Sequence, residues 1–293
     1  MPDREDRAMT APRPAHPTAA RPPHPSEGLP HMTSRTTTRR SATLLVSAAA
    51  TFGLAFAVPA SASPEQTPAA APAASNSAAA DGCYTWSGAL QEGSSGEAVR
   101  QLQIRVAGYP ESGGDIAVDG EFGPATKAAV QRFQSAYGLG ADGVAGDSTF
   151  AKIYELQDDD CSPVNFDYGE LNNCNSDWSG GQVSAATAKS NALVTMWKLQ
   201  AMRHAMGDKP IQVNGGFRSK ACNDNVGGAP NSRHMYGHAA DLGAGSQGFC
   251  ALALQARNHG FGEILGPGYP GHDDHTHVAG GGGQSWSAPT CGL

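Results

Sequence analysis

The sequence predicts an α+β protein: a small N-terminal three-helix bundle followed by an α+β domain with an antiparallel sheet. Three observations lead there. Residues 83–161 carry a short repeat whose copies each supply turn residues and then a helix start. Residues 185–206 read as one long helix, with Leu193, Met196, Trp197 and Gln200 on one face. Short β-type runs at 211–213, 263–265 and 276–279 are bounded by Asn, Gly and Pro.

The chain is 293 residues long, which as a prior means one or two domains. Its formal net charge is −7, and residues 81–293 carry −9 of charge against +2 before them. That balance excludes a nucleic-acid binder, which needs clustered basic charge. No run reads as the several spans of a transporter.

Residues 1–62 read as a leader and secretory signal. Arg35, Arg39 and Arg40 precede an uncharged, mostly apolar run at 41–58, and Ala60-Ser61-Ala62 fits a cleavage site. A membrane anchor is the bland alternative, but Ser47, Thr51 and Gly53 dilute the run. Residues 63–80, mostly Ala and Pro, read as a linker or pro-segment without the means to make a core. The remaining chain divides into a module at 81–161 and a domain at 162–293.

All six cysteines follow residue 82, and an exported chain makes disulfides of them. Sequential pairing is the expectation: Cys83–Cys161, Cys174–Cys222 and Cys250–Cys291, each closing a module on itself. Loops of that size imply ~4 kcal/mol of stabilisation each in the chain-entropy picture.

In the first module, Asp119-Gly120-x-x-Gly123-x-x-Thr126 parallels Asp142-Gly143-x-x-Gly146-x-x-Thr149. Pro124 stands where a first helical position should be, and Val130, Phe133 and Tyr137 continue as one apolar stripe. An earlier helix starts at Glu97, with Val99, Leu102 and Val106 on one face. Gly93 to Gln103 and Val118 to Gln134 together resemble the helical peptidoglycan-binding module of secreted wall hydrolases. The resemblance implies a wall-binding role.

The second domain concentrates chemistry. Seven of the ten histidines follow residue 200. Ser232-Arg233-His234-Met235-Tyr236-Gly237-His238-Ala239-Ala240-Asp241 and His272-Asp273-Asp274-His275-Thr276-His277 offer a surplus of imidazoles and carboxylates. Catalytic zinc takes three such ligands and keeps a position for water. With the cysteines oxidised, a His/Asp set is the expected donor type. His-x-His on a strand puts His275 and His277 on one face. Each signal alone has a plain reading, since a His beside Gly is usually a loop residue. Gly243-x-Gly245-x-x-Gly248 spells a nucleotide-loop pattern but lacks its βαβ context, and reads as a loop. Neither H-E-x-x-H nor S-x-x-K occurs.

Ser232, His234, Gly237, Ala239 and Asp241 resemble the S-x-H-x-x-G-x-A-x-D motif of the zinc D-alanyl-D-alanine carboxypeptidases and dipeptidases. Their site arrangement is shared with hedgehog-like and lysostaphin-like zinc sites. The resemblance implies one Zn²⁺ held by His234, Asp241 and His277, and Asp274 as general base. It implies that His272 supports the oxyanion and that Arg218 grips a free C-terminal carboxylate. His275 is the alternative third ligand or a partner of one, Asp273 the alternative base, and Ser232 a substrate contact or a turn residue. Arg218 could instead be an ion-pairing residue. His238 reads as orienting its neighbours and not as a metal ligand, and His204 and His259 read as structural.

The function implied is hydrolysis of the terminal D-Ala-D-Ala bond of peptidoglycan stem peptides by a secreted, monomeric, wall-associated enzyme. The partners are then peptidoglycan and peptides ending in D-Ala-D-Ala, with no nucleic acid and no stable membrane insertion after processing. Two other readings compete. An endopeptidase cutting crossbridges would use the same zinc but leave Arg218 without a carboxylate. A binding protein with structural zinc would need four protein ligands and no place for water.

Overall fold

The computed structural model describes residues 83–172, 174 and 177–293. The leader and linker expected at 1–62 and 63–80 lie outside the described residues.

Each copy of the repeat is built around one buried glutamine. Gln103 sits in α1 (Glu97–Arg105). Its Nε2 donates to Asp119 Oδ1 (2.8 Å), the Glu121 carbonyl (3.1 Å) and Thr126 Oγ1 (3.2 Å), and its Oε1 accepts from Gly120 N (2.8 Å). Gln134 in α2 (Pro124–Ala136) repeats the arrangement with Asp142 (2.9 Å), the Val144 carbonyl (3.0 Å), Thr149 (3.1 Å) and Gly143 N (2.9 Å). The repeated Asp and Thr thus satisfy an amide that would be costly to bury unpaired. Gly120 and Gly143 turn with φ of 82° and 77°, a region that favours glycine. The second copy starts α3 (Asp147–Glu155). The three helices share a core of Val99, Leu102, Val130, Phe133, Phe150 and Ile153.

Helix α4 (Ala185–Ala205) is started by Ser184, whose Oγ accepts from Thr187 N (3.1 Å). It serves two cores at once. Trp197 and Ala201 complete the core of the three preceding helices. Ala188, Ala192, Met196, Leu199 and Met202 belong to the core of the following sheet. Between them, Lys198 is nearly inaccessible and donates to Asp115 Oδ1 (2.8 Å) and the Gly260 carbonyl (2.6 Å). His259 Nδ1 donates to the Gly108 carbonyl (2.8 Å). The two modules read from the sequence are therefore joined through a shared helix and buried polar contacts.

The sheet has the order β1-β2-β4-β3-β5, with β1 Val213–Gly215, β2 Ala239–Leu242, β3 Glu263–Leu265, β4 Thr276–Ala279 and β5 Ser285–Ser287. It is mixed, which corrects the antiparallel expectation: β3 and β5 run parallel. The chain reverses through residues 280–284 after β4 and lands on the far side of β3, so β5 runs with β3. The first strand lies two residues later than expected, and Ile211 is buried in the core just ahead of it.

Helix α6 (Phe249–Ala256) packs on β3 and β4. Helix α5 (Lys220–Asn225) is capped by Ser219, whose Oγ accepts from Cys222 N (3.2 Å). The glycine-rich stretch 243–248 joins β2 to α6 beside an antiparallel pair, as a loop. The three disulfides pair sequentially as expected, with Cα–Cα separations of 5.3, 6.3 and 5.0 Å.

Candidate metal centre and cleft

The spacing of the histidine–aspartate motif becomes intelligible in the fold. His234 lies in a 3-10 turn, Arg233–Tyr236, ended by Gly237 in the left-handed region (φ 76°). A side chain there would collide with the Ala188 carbonyl of α4. The chain then enters β2, where Asp241 pairs directly opposite His277 of β4. Cross-strand partners share a face, so register alone brings the carboxylate to the imidazole. The turn lays His234 over both.

The three side chains are buried and converge. His234 Nε2 lies 3.1 Å from Asp241 Oδ1 and 3.1 Å from His277 Nδ1, and His277 Nδ1 lies 2.9 Å from Asp241 Oδ1. Tetrahedral zinc with bonds of about 2.0–2.1 Å would set its donors about 3.3 Å apart. The spacing fits.

The outward nitrogens sharpen that fit. His234 Nδ1 donates to the Gly216 carbonyl (2.6 Å), and His277 Nε2 donates to Glu263 Oε1 (3.0 Å). A carbonyl cannot donate. Glu263 is held ionised, because its hydrogen bond to His277 lowers its pKa. Both ring protons therefore point outward, and neutral rings turn bare lone pairs toward the Asp241 carboxylate. Three acceptors facing one another require a cation. Without metal that cation is a proton. Burial works against a charged His277, but Asp241 and Glu263 outweigh it and raise its pKa. Burial lowers the pKa of His234. Burial alone would raise the Asp241 carboxyl, yet its hydrogen bonds to His234 and His277 hold it far below the usual carboxylate range.

Arg218 reaches the same point from the segment after β1. Its backbone N donates to the His234 carbonyl (3.2 Å), and its Nη2 donates to Asp241 Oδ2 (2.5 Å). Sequence reasoning gave Arg218 a substrate; the structure also gives it an internal partner.

These residues floor a cleft of about 570 Å³, whose walls include Val226, Ser232, Tyr269, His272 and His275. Val226 and Tyr269 are large apolar side chains left exposed there. His272 Nδ1 donates to the Pro270 carbonyl (3.1 Å), and its ring centroid is 5.9 Å from that of His277. Burial lowers its pKa. Asp274 is not among the cleft-lining residues. It is fully solvated and joined to His275 Nδ1 (2.8 Å), whose hydrogen bond lowers its pKa. His275 Nε2 lies 3.7 Å from Asp241 Oδ1, so this ring links Asp274 to the buried centre. Asp273 accepts from Gly268 N (2.8 Å) and ties the loop. Sequence reasoning missed Glu263, whose contact depends on the pairing of β3 with β4.

A buried His/Asp/His donor set at the floor of an open polar cleft defines a metal-dependent hydrolase. Residues 164–279 match the Peptidase M15 family, and residues 95–153 match a peptidoglycan binding domain family. The chain is 77% identical over 251 residues to the zinc D-Ala-D-Ala carboxypeptidase of Streptomyces albus G, covering 85% of this chain and 97% of that one. It therefore belongs to the M15 family of zinc-dependent peptidases, with the zinc D-Ala-D-Ala carboxypeptidases. It is also 45% identical over 65 residues to the N-acetylmuramoyl-L-alanine amidase CwlL of Bacillus licheniformis, covering 21% of this chain and 18% of the amidase. A solved structure of a fused Zn-dependent amidase/peptidase/peptidoglycan-binding domain-containing protein from Clostridium acetobutylicum is 34% identical. It covers 22% of this chain and 28% of its own, with a TM-score of 0.20. Among the described residues, no helix is long and apolar enough to cross a membrane.

Proposed function

We propose that this enzyme removes the terminal D-Ala from peptidoglycan stem peptides ending in D-Ala-D-Ala, acting outside the cell as a monomer. Residues 81–161, a three-helix bundle, hold it to the wall, and residues 162–293 carry out the hydrolysis. The observation that carries this reading is the convergence of His234, Asp241 and His277 beneath a cleft that also presents Arg218. His234 through Nε2, Asp241 and His277 through Nδ1 would hold the zinc. When bound, it supplies Lewis-acid chemistry, polarising the scissile carbonyl and making water a stronger acid.

The chain's own groups do the rest. Asp274, hydrogen-bonded to His275, takes the proton of the attacking water through that ring, whose Nε2 faces the centre, and returns it to the leaving amine. His272 has its Nδ1 committed to Pro270, so Nε2 is the atom left to support the oxyanion, and because burial favours the neutral ring it must gain a proton there to do so. The Arg218 fork receives the carboxylate of the departing D-Ala, which confines cleavage to chain ends. Ser232, on the cleft wall, contacts the peptide.

The test is release of free D-Ala from an acyl-L-Lys-D-Ala-D-Ala peptide, before and after chelation, and again with zinc restored. Release should stop and return. Blocking the peptide's C-terminus as an amide should slow it about 30–150-fold. Cleavage of the blocked peptide as fast as the free acid, or of crossbridges in preference to chain ends, would favour an endopeptidase instead.

A further inference from the structure

We propose that Glu263 is a positioning residue for the metal: it fixes His277 with Nδ1 turned inward and, by its charge, makes that ring a stronger donor. The inference rests on His277 being a zinc ligand, as argued above.

His234 and His277 face the centre through different nitrogens, Nε2 and Nδ1. An imidazole can rotate about its side-chain bonds and exchange these atoms, so something must choose. For His234 the choice is made by the Gly216 backbone carbonyl. For His277 it is made by a side chain. Glu263 pairs with Ala279 across the β3–β4 ladder, while His277 pairs with Leu265. Residues two apart on a strand share a face, so Glu263 and His277 are diagonal neighbours on one side of the sheet. That diagonal is bridged at 3.0 Å.

The composition of β3 points the same way. Its sequence is Glu263-Ile264-Leu265, and Ile264 is fully buried. An acid in such a strand, with only 31% of its side chain exposed, needs a polar partner, and His277 supplies one. Charge gives the second reason. Arg218 offsets the charge of Asp241 at 2.5 Å, so the ligand carboxylate alone does not balance a divalent ion. Glu263 restores a negative charge one ring away, and a carboxylate on the distal N–H raises an imidazole's basicity as a ligand.

The experiment measures zinc affinity by competition with a chromogenic chelator, and the visible spectrum of the cobalt-substituted protein, in the full chain. Glu263→Ala should weaken zinc binding about 10–100-fold and shift the cobalt bands. Glu263→Gln keeps an acceptor for Nε2 but not the charge, and should fall between, at least about threefold weaker than wild type. Wild-type affinity and an unchanged spectrum in Glu263→Ala would overturn the proposal. If that variant does not fold, Glu263→Gln decides, and wild-type affinity there overturns it. A purely structural role would lower metal-free thermal stability while leaving affinity and spectrum unmoved. His277→Ala, measured alongside, separates the two readings. Zinc retained by His277→Ala sinks the ligand assignment. Zinc lost by His277→Ala but kept by Glu263→Ala sinks only the role of Glu263.

Discussion

Replacing Arg218 by Ala should change which peptides are cut more than whether peptides are cut. Asp241 already engages Nη2, which leaves part of the fork for a substrate carboxylate. A hydrogen bond to a charged group contributes about 1.5–3 kcal/mol, so one to two such bonds in a partly open site amount to about 2–3 kcal/mol. That is roughly a 30–150-fold loss in kcat/KM for a peptide with a free C-terminus. A C-terminal amide offers no carboxylate to lose. The assay is therefore the ratio of kcat/KM for free-acid and amide peptides of one sequence. The ratio should fall about 30–150-fold in Arg218→Ala. Zinc content must be measured in parallel, because Asp241 loses its partner too. Arg218→Lys keeps a charge beside Asp241 and should keep zinc while losing most of the discrimination. A ratio unchanged in a zinc-replete Arg218→Ala protein would refute the carboxylate grip.

Three further outcomes are expected. Asp274→Ala should bind zinc and lose turnover, whereas His234→Ala should lose both; equal zinc loss in the two would end the division of roles between them. Asp115→Ala strands the Lys198 ammonium with the Gly260 carbonyl alone and should cost about 3 kcal/mol, or ~6–12 °C in Tm. Lys198→Met should cost less, since Asp115 is half exposed and can be solvated; a melt in which Lys198→Met is the worse variant would contradict this. His238 is held at about 4 by burial and by the charges of Lys198 and Arg233, below its unfolded value of about 6.5. The folded state resists its protonation, so stability is full above about pH 6.5 and falls as pH drops toward 4. The full shift is about 3 kcal/mol, and about 2 kcal/mol after allowing for partial exposure. Denaturant titrations of chelated wild-type and His238→Gln protein at pH 7 and pH 4 should diverge by that amount, and parallel pH dependence would count against it.

The parts legible in the sequence are those whose signal is local. Pro124 at a helix start, the stripes of α1 and α2, and the strands at Glu263–Leu265 and Thr276–Ala279 all lie where their own residues placed them. The strand β2 was not read, although it carries Asp241. All four of its residues are buried, so the alternation that marks a half-exposed strand is absent. The edge strand β5 is only three residues long, and the single Trp286 between two serines gives no repeating alternation to announce it. Glu263 was invisible for a different reason. Nothing near it in the chain hints at zinc, and only the pairing of β3 with β4 brings it to His277. Conversely, the Asp-Gly-x-x-Gly-x-x-Thr repeat was seen at once, but its purpose needed the two glutamines it surrounds.

If the helical module binds the wall as proposed, the shared helix α4 sets how this enzyme meets it. A binding module on a slack tether would let the active site sweep a sphere of substrate around each anchoring point. Here Trp197 and Lys198 lock the anchor to the blade, so grip and cut keep one bearing. Such a tool works like a plane with a fixed iron: what it removes is decided by how the surface is presented to it. On that proposed role, the wall's own local geometry would bear on which stems are trimmed.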